Sequence, residues 1–583
     1  MLMGFYCAVM GNAKRESVMK KDNDALKKAV CRLLIVLAMS GTVLASSSTL
    51  FVYAQESIPP VLSVPEVSTP GEVQPYTQQS NFEYEKYVDP LGNWEIRLTK
   101  YLGEKTDGTT VVIPHTIEGL PVEETDANLL AGIPNVIVEF EQGTTRIPDL
   151  VCYQKDNVAK LVIPDTVTEI GYYTFEGCQN LREIVWGGRQ VLENGKLTIP
   201  SGVTGIGNNA FKGMVQIQHV VLPATLEYGS HDMFSDIPNL TIEFAQGTVR
   251  TANYALGAAN GLTKLIVPGS VTKIGYGSFE EASQLREIIW NGQSILQDKK
   301  LIIPEGVQEI CSYAFTGMDI NYLCLPSTFI GAAEGYGSDR SIVMNIPDLT
   351  VEFAQGSTTL PEKIFVNSDQ LKKVILPSTV TEIQANAFMN CEGLTQISWG
   401  GQAMLENGKL TLPKGLRLLG ETAFLNMTQV KHIVLSSTLE SYPSSLGVSG
   451  ITLEFAQGTT NLAKNMCSGT WDTIIIPNSV TQLDAYSFKN CQVRELIWNG
   501  QSALAGGKLT IPEGITKIGQ KSVSGINGVN YIVLPSTLQE CEGFYSSPNI
   551  TTLEFAEGTT KLPLTACAGA QNLTTVILPD TVK

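Results

Sequence analysis

The sequence predicts a repeat solenoid, mainly β with short helical or 3-10 turns, and three observations carry that expectation. Residues 160–186, KLVIPDTVTEIGYYTFEGCQNLREIVW, put Leu161, Ile163, Val167, Ile170, Phe175, Cys178, Leu181 and Ile184 at a spacing that fits neither a helical period nor a long alternation. Short strands joined by turns fit better. Pro164 follows the apolar pair Val162-Ile163 and ends the strand, because proline offers no N–H to a ladder. The same grammar then recurs down the chain. One such turn cannot bury its own apolar side, so neighbours must stack on it, which is the physical signature of a solenoid.

Taken in order, residues 1–54 read as an export signal. Lys14, Arg15, Lys20, Lys21, Lys27, Lys28 and Arg32 form a basic leader, residues 33–44 an apolar run, and Val52-Tyr53-Ala54 a small-residue cleavage end before Gln55. An uncleaved anchor over residues 33–54 is the alternative, weakened by Ser40, Gly41 and Ser46-Ser47-Ser48. Residues 55–80, rich in Pro, Ser, Thr and Gln, are expected to be an extended, solvated linker. Residues 81–123 alternate like strands and read as an N-terminal cap with the first rung.

Residues 124–583 form the array. Rungs counted by the residue that ends each strand are mostly 18 to 26 residues apart. Four longer steps each hold an additional strand ending at Trp186, Trp290, Trp399 or Trp498, which brings the count to about 23 rungs. A longer beat overlies the first: Phe140, Phe244, Phe353, Phe455 and Phe555 of the Glu-Phe phrase stand 104, 109, 102 and 100 residues apart. One block of five rungs is therefore repeated. The last copy stops at Lys583 in mid-rung, which reads as a truncated C-terminus, since an array needs a terminal cover.

The runs LVIPDTVTEIGYYTFEGC, LTIPSGVTGIGNNAFKGM, LIIPEGVQEICSYAFTGM, VILPSTVTEIQANAFMNC and IIIPNSVTQLDAYSFKNC resemble the BspA-like leucine-rich repeats of bacterial surface and secreted proteins, over roughly residues 82–583. The resemblance implies a leucine-rich-repeat solenoid, secretion or surface attachment, and binding of host or neighbouring-cell ligands. The chain departs from the general leucine-rich pattern in having no Asn ladder after the strand, which leaves its curvature open.

Composition restricts function further. The formal charge is −17, or −21 without the basic leader, which disfavours nucleic acid and anionic membrane as partners. His115, His219, His231 and His432 fall on unrelated points of different rungs, and none has metal-ligand spacing to Cys or another His. There is no nucleophile elbow and no phosphate-cradling loop, so neither an enzyme nor a cofactor is expected. The 53 Gly residues fall mostly in Gly-Gly, Asn-Gly and Ile-Gly turns, where they serve backbone geometry.

Three features bear on binding and stability. The four block tryptophans align with core positions, so packing is the first reading and ligand stacking the second. Arg182, Arg286 and Arg494, with Glu183, Glu287 and Glu495 beside them, share one outward column, which is either a solvated charge ladder or part of a protein-binding face; Thr395 and Gln396 replace both in the third block. Cys152 lies one turn before Cys178, and Cys467 one turn before Cys491, so these are either stacked thiols or two cross-rung disulfides. The reading that follows is a secreted or surface-displayed adhesin that contacts an extracellular protein or glycan, with no membrane insertion of the mature chain. The alternative is a passive spacer for a catalytic or wall-binding module beyond Lys583.

Overall fold

The computed structural model describes residues 74–79 and 81–583, apart from residues 231, 332–340, 441, 444 and 545–546. The export signal and most of the expected linker lie outside these residues. At the front, Gln74–Gln79, Phe82–Val88 and Trp94–Tyr101 pair antiparallel, and Leu120–Thr125 then joins Trp94–Tyr101 in parallel. Gln74–Gln79 falls inside the segment read as a solvated linker. Its polar composition argues against burial, yet an edge strand needs only its backbone groups, and the Phe82–Val88 strand offers them. Arg146 ties this sheet to the array, with Nη1 2.7 Å from Glu123 and Nη2 2.5 Å from Asp149. Arg97 bonds Glu124 at 2.6 Å beside it.

The array carries one sheet strand per rung, and twenty-three are found among the described residues, from Thr110–Ile113 to Thr575–Ile577. Neighbouring rungs pair in parallel wherever a turn connects them. Alternate residues point inward: in Val158–Ile163, Leu161 and Ile163 are buried while Lys160 and Val162 face out, half-exposed. Proline after Ile163, Ile199, Val267 or Ile303 closes the strand as expected, since the chain must leave the ladder there.

Each long step holds something the sequence reading did not foresee. After Glu183–Trp186 the chain turns back on itself, and residues 189–193 run antiparallel between that strand and Lys196–Thr198. Val191 donates to the Ile184 carbonyl and accepts from Thr198, so the reversed strand is bonded on both sides. In the third block Gln402–Glu406 fills the same place as one uninterrupted strand. Both reversals are two-residue hairpins with φ > 0 at each turn residue, as at Gly187-Gly188 and Asn194-Gly195. Their twist matches that of the flanking strands, which explains the Gly-Gly and Asn-Gly pairs.

Behind the sheet, a second and much narrower parallel ladder links two-residue strands such as Arg146–Ile147, Glu169–Ile170 and Gly205–Ile206. The Ala-Phe phrases lie beside it. Short helical or 3-10 turns were expected there; no helix or 3-10 segment occurs among the described residues, and these segments are stacked turns. Tyr173, Phe175 and Gly177 donate across to the carbonyls of Asn208, Ala210 and Lys212, each at 2.8 Å, while Cys178 bonds back to Phe175. Sending every other N–H to the next rung requires left-handed residues at Tyr173 and Gly177 (φ 56° and 74°), and a helix cannot pass through them.

The interior is a set of columns. Phe175, Phe211 and Phe234 follow one another at 5.4 Å between ring centroids, and Phe365, Phe388 and Phe424 at 5.8 Å. Trp186, Trp290, Trp399 and Trp498 are all at most 5% exposed, so core packing is their role. Burying a large side chain of this kind stabilises the fold by about 1.5–3 kcal/mol.

The Ile-Gly phrase has a separate cause. A Cβ at Gly207 would stand 2.6 Å from the Gly171 carbonyl and 2.8 Å from the Tyr172 nitrogen, both of them backbone atoms that cannot swing aside. Gly207→Ala is therefore expected to cost about 1–3 kcal/mol through overpacking. Chemical denaturation showing an unchanged midpoint would refute this close approach of rungs.

Candidate functional site

Among the described residues, the outer side of the sheet is a broad surface built in register. Two columns of side chains run along it, because every second residue of each strand faces out. In the first, the second block reads Lys264, Glu287, Lys300, Tyr322 and Thr350, and the fourth reads Thr473, Glu495, Lys508, Tyr531 and Thr552. The second column lies two residues on and is mostly Val or Ile, as at Val162, Val185, Ile266 and Ile289. Glu243, Glu352, Glu454 and Glu554 interrupt it once per block.

Three of these glutamates, Glu243, Glu454 and Glu554, gather cations from neighbouring rungs. Glu243 Oε2 stands 3.3 Å from Lys196 Nζ and 2.9 Å from His219 Nε2. Glu454 repeats this with Lys409 at 3.4 Å and His432 at 2.7 Å. Glu554 takes Lys508 at 2.9 Å and accepts from the Tyr531 hydroxyl at 2.5 Å, which together hold its carboxyl below the usual range. His219 and His432 thus occupy one register position in two blocks and are not the scattered residues expected. His115 lies elsewhere, against Glu141, and His231 is outside the described residues.

The expected charge column is present but broken into local pairs. Glu183 pairs with Lys160 at 2.8 Å and Glu287 with Lys264 at 2.9 Å. Arg494 grips Asp472 through two nitrogens at 2.6 and 3.0 Å, raising its own pKa and lowering that of the aspartate. Arg286 lies 3.7 Å from Asp319, and Arg182 is exposed. Copies in successive blocks are six strands apart once the reversed strand is included, or about 29 Å, so the three arginines do not touch one another.

Other polar side chains satisfy the turns. Gln216 donates to the carbonyls of Cys178 and Leu181, and Gln429 does the same for Cys391 and Leu394, at 2.7 to 3.3 Å. Asn157 does so for Leu130 and Ile133. An amide just ahead of a buried Ile or Val was the available signal, since the expected ladder was sought after the strand. The Cys178 thiol donates to the Cys152 carbonyl at 2.9 Å, which places the two residues on adjoining rungs. Burial pushes the Cys152 and Cys467 thiols up. Among the described residues no group of His, Cys, Asp and Glu is arranged to hold a metal ion, and no helix is long and apolar enough to cross a membrane.

A parallel sheet with an open outer side, closed behind by stacked turns, defines a repeat solenoid of the leucine-rich kind. The chain belongs to the BspA type leucine rich repeat family, whose model matches six times, at residues 145–191, 189–298, 294–403, 341–446, 402–505 and 506–583. Among solved structures it is similar to a leucine-rich repeat protein from Bacteroides ovatus, at 16% identity over 79% of this chain and 95% of that one, with a TM-score of 0.33. A leucine rich cell surface protein from Faecalibacterium prausnitzii is 20% identical over 57% and 96%, with a TM-score of 0.25. The T. pallidum leucine rich repeat protein is 24% identical over 36% and 90%, with a TM-score of 0.26. No curated protein matches the chain.

His219 gives the face a pH response. Its burial, helped by Lys196, outweighs the pull of Glu243 and holds the imidazole below its ordinary range. The unfolded chain then takes up the proton first, so the stability associated with neutral His219 is full above about pH 6.5 and is lost as pH falls through that value. Replacing His219→Gln should lessen the drop in Tm between about pH 7 and pH 5. An identical drop in both proteins would contradict this.

Proposed function

We propose that the chain is a secreted or surface-displayed bacterial adhesin that engages an extracellular protein or glycan through the outer side of its sheet. The observation that carries this reading is the continuous thirteen-stranded sheet whose outward side chains repeat in register and stay half-exposed. Such a face suits many modest contacts made together, where effective concentration multiplies weak affinities. Family membership supports display outside the cell, and residues 1–54 would supply the export signal.

The test is binding of the purified protein to panels of matrix proteins and surface glycans, compared with a sheet-face variant, Arg286→Glu with Glu287→Arg, and a turn-side variant, Tyr173→Ser. The sheet variant should lose affinity for whichever ligand is captured, and the turn variant should keep it. Loss confined to the turn variant would move the binding face to the turns, and capture of no ligand would favour the spacer reading.

An oxidising exterior also bears on the cysteines. Cross-rung disulfides at Cys152–Cys178 and Cys467–Cys491 would each form by loss of two protons and two electrons to an extracytoplasmic disulfide oxidant. Each would add about 2–4 kcal/mol. Non-reducing peptide mapping of exported protein should then yield the linked peptides, and alkylated thiols at all four positions would dispose of both bridges.

A further inference from the structure

The third block departs from its copies at five outward positions, and all but Thr395, which replaces an arginine, add a cation, remove a carboxylate or replace an apolar residue by a polar one. Pairing of Leu349 with Leu371 and of Thr350 with Lys373 leaves Lys372 as the extra residue of a bulge, which turns both lysines outward. The equivalent bulge residues are Ala159, Thr263 and Asp472. Lys373 registers with Gln396, where Lys160 and Lys264 have Glu183 and Glu287. Ser398 takes the place of Val185, Ile289 and Ile497. Lys431 takes the place of Gln218, Asn321 and Asn530.

The charge count follows. Over the bulge residue, its neighbour, the next two strand-leading residues, the block lysine and the Lys431 position, the third block holds four cations and no carboxylate, even though Thr395 replaces an arginine. The first and second blocks hold three cations and one carboxylate, and the fourth holds two of each. Lys372, Lys373 and Lys431 make no ion pair among the described residues. The nearby carboxylates are Glu352, on the adjoining strand in register with Ile375, Glu454, already shared by Lys409 and His432, and Glu406, opposite Lys409 on the reversed strand.

We propose that this part of the sheet binds an acidic glycan, a polysaccharide chain bearing carboxylate or sulfate groups. Lys372 and Lys373 on one strand, and Lys431 four strands further along at about 19 Å, give spaced unpaired cation sites with Lys409 between them, in an otherwise acidic chain of net charge −17, so attraction is confined to this block. Thr395, Gln396, Ser398 and Thr411 stand among them and offer neutral donors and acceptors suited to sugar hydroxyls. Protein interfaces centre on buried aromatic or arginine anchors, and these rungs present none on their outer side. The inference rests on the sheet being the binding face, and it names the ligand class for one block.

The experiment uses the purified full chain against polygalacturonate, dextran sulfate, unmodified dextran and polyglutamate at low and high salt. Binding to one or both charged glycans at low salt is expected, weakening as salt rises. The better of the two probes identifies the charged group. The variant Lys372→Gln, Lys373→Gln, Lys431→Gln should bind at least about tenfold more weakly, the equivalent of one charge-assisted contact. The variant Lys155→Gln, Lys489→Gln, in the turns behind the sheet, should stay within about twofold of the parent. Equal binding by the triple variant, or no binding to either charged glycan at low salt, would overturn the proposal. Tighter binding to polyglutamate than to the glycans would overturn it in favour of an acidic protein. Loss of glycan binding in the triple variant, with ligand capture in the Arg286 and Glu287 test unchanged, would separate this site from the broader adhesive reading.

Discussion

Every rung has to place its backbone on two ladders at once, and the rest of the structure follows from that double constraint. Unpaired N–H and C=O groups inside a stack have no water to turn to, so each turn must pass its donors to the next one. On the sheet side this gives ordinary parallel pairing. On the turn side it gives the alternation at Tyr173, Phe175 and Gly177, together with a left-handed backbone at non-glycine residues such as Leu150, Asn209 and Tyr254. Such conformations cost about 1–2 kcal/mol each and persist because the neighbouring rungs fix them.

The two ladders do not advance at the same rate. In the second block the sheet side holds six strands, counting the reversed one at residues 293–297, while the narrow ladder passes through Arg250, Lys273, Glu309 and Gly331. At about 4.8 Å per strand that is about 29 Å against about 19 Å, so the sheet lies on the longer side of the coil. The reversed strand is therefore a wedge that adds width to one side only. Its Gly-Gly and Asn-Gly turns could be read from the sequence, but where the intervening residues would pair could not. A two-residue turn specifies a hairpin and says nothing of the strand beyond it.

What was legible was whatever a single rung enforces. Proline after the strand, the inward Ile and Leu, the buried Phe columns and the four tryptophans all follow from chemistry within one turn, and all are found where residues 160–186 place them. What was not legible depended on contact between rungs. The Ala-Phe phrase looks like a helical turn in isolation and is stacked instead, because Asn208, Ala210 and Lys212 offer carbonyls at the right height. His219 and His432 looked unrelated because 213 residues separate them, yet the stack sets both beside a block glutamate. Glu183 and Glu287 were read into one outward column with the arginines beside them in sequence, and they pair across the strand gap with Lys160 and Lys264.

That contrast also indicates where function can enter a repeat of this kind. An inward residue is held by packing above and below, so changing one disturbs three rungs, and the core columns stay uniform from block to block. An outward residue answers only to its cross-strand partner. Once Glu183 and Glu287 give way to Gln396, Lys373 has no carboxylate to satisfy, and neither the core nor the ladder is affected. Chemistry can therefore differ sharply between neighbouring blocks on an identical scaffold. A site on such a surface is found by comparing one block with the next, since the scaffold beneath it is the same in each.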